Sequence, residues 1–256
     1  MNAKKLLKQA QKLVPETLLA RLQKLHSNLL FTLISRRHQA LGWSLKSAMV
    51  FSPHQDDETF GCGGMIALKR AQGIAVQVVF LTDGQGDNLN PQIVQIRTDE
   101  ALTALRILGV DQSQIHFLAK PDGTLQNLPL LEQQQLIEQL VNLLKFYQPQ
   151  EVYVPHSQDC HCDHEATYEL VRSALANSEV KAELWQYPIW LLWRAPIFIM
   201  LKLQDLATAR LLSIDSVRAT KSQAIAAYRS QIHSLPQGFV QQFLGNAEVF
   251  FPEKTD

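Results

Sequence analysis

The sequence predicts an α/β fold: a mostly parallel sheet with helices on both faces, preceded by a helical N-terminal extension. Three observations predict it. Short β-branched or aromatic runs alternate with stretches of helical periodicity. Each run ends in turn residues that lead into the next helix. Charge also divides the chain, because residues 1–46 hold nine of the 24 Lys/Arg but only one of the 24 Asp/Glu, Glu16. We therefore expect a basic amphipathic extension over residues 1–45 and one folded domain over 46–256.

In chain order, apolar residues at three and four spacing (Leu6, Leu7, Leu13, Leu18, Leu19, Leu22, Leu25, Leu29, Leu30) predict two N-terminal helices broken at Pro15. Strands follow in "SAMVFSP" (47–53), "AVQVVFLTDG" (75–84), "IHFLAKPDG" (115–123) and "EVYVPHSQD" (151–159). Helices are expected near 61–72, 91–108, 129–147 and 164–177. "ELWQYPIW" reads as a late strand, and "SVRATKSQAIAAYRSQI" from Ser216 as a closing helix. Such βαβ units place their ligand crevice at the carboxyl ends of the strands, and the polar clusters fall there.

Composition narrows the function classes. Of 256 residues, 46% are hydrophobic and 19% charged, which argues against general disorder. Three cysteines, Cys62, Cys160 and Cys162, are too few and too clustered for a disulfide framework, so a reducing, cytoplasmic compartment is expected. The most apolar stretch, from Tyr187, is interrupted by Arg194 and two prolines and falls short of the about 20 apolar residues of a membrane span. Its tryptophans, Trp185, Trp190 and Trp193, read as core or as a subunit contact in a homo-oligomer. Together with the basic N-terminus they also raise a peripheral membrane contact. Basic residues are not interleaved with exposed aromatics on the main domain, so no nucleic-acid partner is expected.

The chemistry sits in "FSPHQDDETFGCGG" (51–64) and "HSQDCHCDH" (156–164). A histidine and an aspartate three apart, joined by a histidine from a distant loop, make the donor set of a catalytic zinc site: His54, Asp57 and His164. Asp56, beside the ion, is placed to act as general base on water. His161, held by Asp163, is expected to stay protonated and to stabilise an oxyanion or donate to a leaving amine. Gly61, Gly63 and Gly64 read as the tight turn from strand to helix. The competing reading makes the acids helix caps. Glu58 reads as a buried partner of a basic residue, and Asp83 and Asp122, in "TDG" and "PDG", are equally good turn formers. A Cys-rich structural zinc site needs a second cysteine pair, which the chain lacks. A nucleotide-binding module is disfavoured because "GCGG" lacks the G-x-G-x-x-G spacing and follows three acids.

"PHQDDE" (53–58), "LTDGQGD" (81–87), "RTDEALTALRILGV" (97–110) and "DCHCDH" (159–164), in this order, resemble the PIG-L/LmbE-like family of zinc-dependent N-deacetylases. The resemblance runs over about residues 47–170, and "KSQAIAAYRSQ" from Lys221 is similar to the family's late helix. It implies a Rossmann-like fold and removal of acetyl from an N-acetylated amino sugar of the N-acetylglucosamine type. It also implies His54, Asp57 and His164 as zinc ligands, Asp56 as general base, and His161 as electrophile oriented by Asp163. Arg97 and Asp122 match positions that contact sugar hydroxyls or an attached group. Gln55 and Cys162 stand where the family usually has proline, which predicts less rigid metal loops. The alternative is a catalytically silent glycan- or lipid-binding protein on the same fold.

Overall fold

In the computed structural model, which describes residues 14–37, 39–195, 201 and 203–253, the alternation of the sequence becomes an eight-stranded sheet. Strands β1 (Gln39–Ala40), β2 (Ala48–Ser52), β3 (Val76–Thr82), β4 (Ile115–Lys120), β5 (Glu151–Pro155), β6 (Glu183–Tyr187), β7 (Arg210–Ser213) and β8 (Ala247–Pro252) lie in the order β1-β7-β8-β6-β5-β2-β3-β4. The main helices are α1 (Glu16–Arg37), α2 (Asp57–Ala71), α3 (Ile93–Ile107), α4 (Leu130–Tyr147) and α5 (Cys162–Ser178). Shorter ones follow: α6 (Leu191–Arg194), α7 (Leu203–Ala207), α8 (Arg218–Ile225) and α9 (Arg229–Ile232).

The central strands β2 to β6 are parallel, and β8 runs antiparallel to β6 and β7. Because side chains alternate across a strand, β2 and β3 serve two cores at once. Ala48, Val50, Val78 and Phe80 face α2, α3 and α8 through Met65, Leu105 and Ile225. Met49, Phe51, Val79 and Leu81 face α4 and α5 through Leu140, Leu144 and Val171. Strands buried on both faces read as unbroken apolar runs, which is why these segments were visible in the sequence.

The strand order also fixes where a ligand goes. From β2 the chain steps outward through β3 to β4, then returns to β5 on the other side of β2. That reversal opens a crevice beyond the carboxyl ends of β2 and β5, and the two polar motifs of the sequence follow those two strands.

Several expectations change in the structure. The first expected N-terminal helix lies outside the described residues. The second is α1, which docks through Leu30 and Ile34 onto a third core with Leu191, Leu206 and Val249. Strands β1, β7 and β8 were not anticipated. Gly61, Gly63 and Gly64 lie inside α2 rather than in a turn. A Cβ on Gly61 would come within 2.3 Å of Tyr187 Cδ2, and one on Gly64 within 2.5 Å of Ile214 Cγ2. These glycines therefore allow close packing of α2 against its neighbours. In the aromatic run, Trp193 is buried and Trp190 stacks on Phe239 with ring centroids 4.2 Å apart. Those two rings are core, and residues 196–200 lie outside the described part. No described helix is long and apolar enough to cross a membrane.

Candidate metal centre

The first loop of the site is clamped to the neighbouring strand. As the chain leaves β2, the Pro53 carbonyl accepts from Thr82 N at 3.0 Å and Thr82 Oγ1 at 2.7 Å. Gln55 is buried and its Nε2 donates to Thr82 O at 3.0 Å. A side-chain amide thus pins the loop where the family's proline would stiffen the backbone. Asp56 then adopts φ 150°, ψ −32°, a conformation that costs about 1–3 kcal/mol for a non-glycine residue. The strain places consecutive acids in the same cleft. Asp57 and Glu58 form the first turn of α2, where the helix dipole favours negative charge.

The second loop is built around a buried carboxylate. Asp159 accepts from the backbone N–H groups of Ile189, Trp190 and Leu191 at 2.9–3.1 Å. Its Oδ2 also lies 2.7 Å from His164 Nδ1. This fixes the His164 ring and turns Nε2 towards the first loop, 3.2 Å from Asp57 Oδ2. The same Asp57 oxygen is 3.0 Å from His54 Nδ1. The opposite nitrogen of His54 meets two more acids, Asp122 Oδ1 at 3.1 Å and Asp163 Oδ2 at 3.3 Å.

Both histidines are therefore arranged alike. One ring nitrogen faces Asp57 and the other is held by carboxylates, the outer-shell pattern that orients metal-binding imidazoles and raises their basicity. His164 Nε2 is buried and makes no aligned hydrogen bond despite its 3.2 Å approach to Asp57. His54 Nδ1 is in hydrogen-bonding reach of the same Asp57 oxygen, so of the three donors His164 Nε2 is the one left unpartnered, as a nitrogen aimed at a common third atom would be. Four ligands around an ion at bonds of about 2.0 Å lie about 3.3 Å apart, close to the separations observed. The donor set, two imidazoles and a carboxylate, fits a divalent transition ion such as zinc. Ligand atoms of His54, His161 and His164 also fall within 4.8 Å of one another. The closer contacts of Asp57 favour it over His161 as the third donor.

The remaining groups stand around this cluster. His161 presents its ring to both other histidines, with centroids 4.9 Å from His54 and 4.7 Å from His164. Asp163 does not hold it: the Asp163 carboxylate accepts from Gly123 N at 2.7 Å and Leu125 N at 3.0 Å and reaches His54. His161 Nδ1 is left buried without a hydrogen-bond partner. Arg97, from α3, lies 3.6 Å from Asp122 Oδ2, and its Nε is buried and unpartnered. Asp122 thus bridges Arg97 and His54. Asp83 takes the turn role, accepting from Gln85 N at 2.9 Å and Asp122 N at 3.2 Å. Glu58 pairs with hydroxyls, Thr59 at 2.6 Å and Tyr228, and not with a basic residue. Asp159 is the residue the sequence reading missed, because an aspartate before a helix is indistinguishable from a turn former until its partners are known.

Burial and crowding set the charges of the ion-free cluster. Burial and the adjacent Asp57 charge hold Asp56 well above the usual carboxylate range. Burial also disfavours charge on Asp57, but His164 and His54 outweigh it and keep it ionised. Burial lowers His164, yet Asp57 and Asp159 overcome this and raise it to about 9. For His161, burial and the nearby His164 and His54 act together and lower it to about 3. In the ion-free cluster this imidazole is neutral at pH 7 instead of protonated as expected from sequence, because burial and the two neighbouring rings outweigh the pull of Asp57 and Asp163. Burial pushes Glu58 up to about 7.

Comparisons with known proteins bear on the family and the fold. Residues 49–175 match the sequence profile of the PIG-L family, described as GlcNAc-PI de-N-acetylase. The uncharacterized deacetylase YaiS of Escherichia coli (strain K12) is 30% identical over 129 residues. That match covers 48% of this chain and 65% of YaiS, just under two thirds of its length. The crystal structure of the conserved protein TT1542 of Thermus thermophilus aligns with TM-score 0.63 and 27% identity, over 82% of this chain and 95% of that one. The N,N'-diacetylchitobiose deacetylase of Pyrococcus horikoshii aligns with TM-score 0.62 and 22% identity, over 81% and 83%. At that identity the last likeness concerns the fold alone. Residues 49–175, which carry both loops of the cluster, match the PIG-L family.

Proposed function

We propose that this protein is a zinc-dependent hydrolase that removes an acetyl group from an N-acetylated amino sugar or glycoconjugate. His54, Asp57 and His164 would hold the ion. Bound there, zinc would polarise an amide carbonyl and make water a better acid. The side chains supply the rest. Asp56, beside the ligand Asp57 on a strained backbone, accepts a proton from the attacking water. His161, neutral, donates an N–H hydrogen bond to the oxyanion as the carbonyl becomes tetrahedral. A cation nearby would keep that imidazole neutral. Proton delivery to the departing amine then falls to protonated Asp56.

Arg97 and Asp122 close the side of the cleft formed by the loops after β3 and β4, where a polar sugar needs donors and acceptors. The unpartnered Arg97 Nε is one such donor. Asp163 serves the ring of His54 and the 122–125 loop, and so positions the site rather than touching substrate.

The observation that carries this reading is the convergence of His54 and His164, from two loops 110 residues apart in sequence, on one Asp57 oxygen at 3.0 and 3.2 Å. The test is primary-amine release from a panel of N-acetylglucosamine conjugates, with and without chelator. Release that stops with chelator and returns with zinc supports the proposal. Conjugate binding without amine release from any of them, with zinc bound, would overturn it in favour of a silent glycan-binding protein.

A further inference from the structure

Helix α1 is apolar on two separate faces. The inner face docks through Leu30 and Ile34, 0% and 1% exposed. On the outer face, Leu18, Leu22, Leu25 and Leu29 stand at helical positions i, i+4, i+7 and i+11, which share one side. Their exposures are 48%, 51%, 66% and 52%, and together they make a stripe about 16 Å long. A surface helix in water normally turns charged and polar residues outward, so this stripe is a surface awaiting a cover.

Charge decides what that cover is. Exposed Arg21 and Arg36 accompany the stripe, and residues 1–46 carry nine Lys/Arg against the single acid Glu16. A second α1 laid along the first would bring like charges together at the flanks of the leucine seam, with only Glu16 of each helix to offset them. An anionic phospholipid surface accepts both features at once: leucines enter the headgroup boundary while arginines and lysines meet phosphate. The remainder of the chain has a net excess of acids, so an anionic surface would repel it and favour contact through the basic end. We infer that the outer leucine face of α1 docks this protein onto anionic membrane surfaces, lying in the interface without crossing it. Trp193 is buried and Trp190 packs against the core, so these two rings are not part of that face.

The test is flotation of the full chain with vesicles of phosphatidylcholine alone and of phosphatidylcholine mixed with phosphatidylglycerol. The expected result is at least about tenfold more protein on the anionic vesicles, with the difference lost at high salt. A Leu22→Glu/Leu25→Glu variant should lose at least about tenfold of that binding while keeping its circular dichroism spectrum. Because both leucines are exposed, the fold should tolerate it. An independent variant, Arg21→Glu/Arg36→Glu, leaves the leucines in place and should abolish the preference for anionic vesicles. No flotation with either lipid, binding unaffected by both variants, or a dimer that the leucine variant dissociates while vesicles capture nothing would each overturn the inference.

Discussion

An Asp159→Asn substitution removes the charge behind His164 while changing almost no volume. In the wild-type protein one Asp159 carboxylate does two jobs, accepting from the N–H groups of Ile189, Trp190 and Leu191 and holding His164 Nδ1 at 2.7 Å. Asparagine has a single acceptor oxygen. If it faces the backbone N–H groups, its NH2 opposes the His164 N–H; if it turns, the backbone donors lose theirs. The buried unsatisfied donors should cost about 1–3 kcal/mol of folding stability. With the ring no longer held in one tautomer and orientation, zinc affinity should fall about 10–100-fold, or about 1.4–2.7 kcal/mol. Competition against a chromogenic chelator reads the affinity, and urea denaturation of the ion-free protein reads the stability. Zinc affinity within about twofold of wild type would refute the claim that Asp159 supports a metal ligand.

Four other outcomes follow from the same geometry. Asp56→Asn should keep zinc binding within a few-fold and lose about 10²–10⁴ in turnover, measured as amine release with zinc content checked in parallel. In the ion-free protein His164 is raised to about 9 from an ordinary 6.5, so its contribution to stability should be complete below pH 6.5 and disappear as the pH rises through 9. Zinc affinity should move in the opposite sense over that window, because the proton must leave before the ligand binds; denaturation and metal titrations across it check both slopes. Gly61→Ala, whose new methyl would meet Tyr187 at 2.3 Å, should destabilise by about 1–3 kcal/mol in urea melts. Lys221→Met should cost about 3–5 kcal/mol, since it leaves Glu248 buried without the 2.6 Å partner that ties α8 to β8 and the interior of α2; thermal and urea unfolding read it.

How much of this was legible in the sequence depends on how local each signal is. The parallel strands β2, β3 and β5 were readable because burial on both faces demands unbroken apolar runs, and α4 because Leu136, Leu140 and Leu144 repeat at helical spacing. Strand β8 was missed: its "VFF" follows only a short 3-10 turn, Val240–Phe243, and pairs antiparallel with β6 and β7. Only the assembled sheet reveals that role. The glycines of α2 were misread because periodicity gives no sign of Tyr187 or Ile214 pressing on them. In the site, His54, Asp57 and His164 were legible by type and spacing. The partners of Asp163 and Glu58 were not, because a short-range assumption paired Asp163 with His161, two positions away, and a charge assumption sent Glu58 to a cation. The actual partners, His54 and Tyr228, are 109 and 170 residues distant.

The central claim is that His54, Asp57 and His164 form one metal site. Equilibrium dialysis against zinc, for the wild-type chain and for His54→Ala and His164→Ala variants confirmed to be folded, tests it most directly. One ion per wild-type chain, and none retained by either variant at the zinc concentration that saturates the wild type, is the predicted result. A variant that still bound one ion as tightly as the wild type would contradict it.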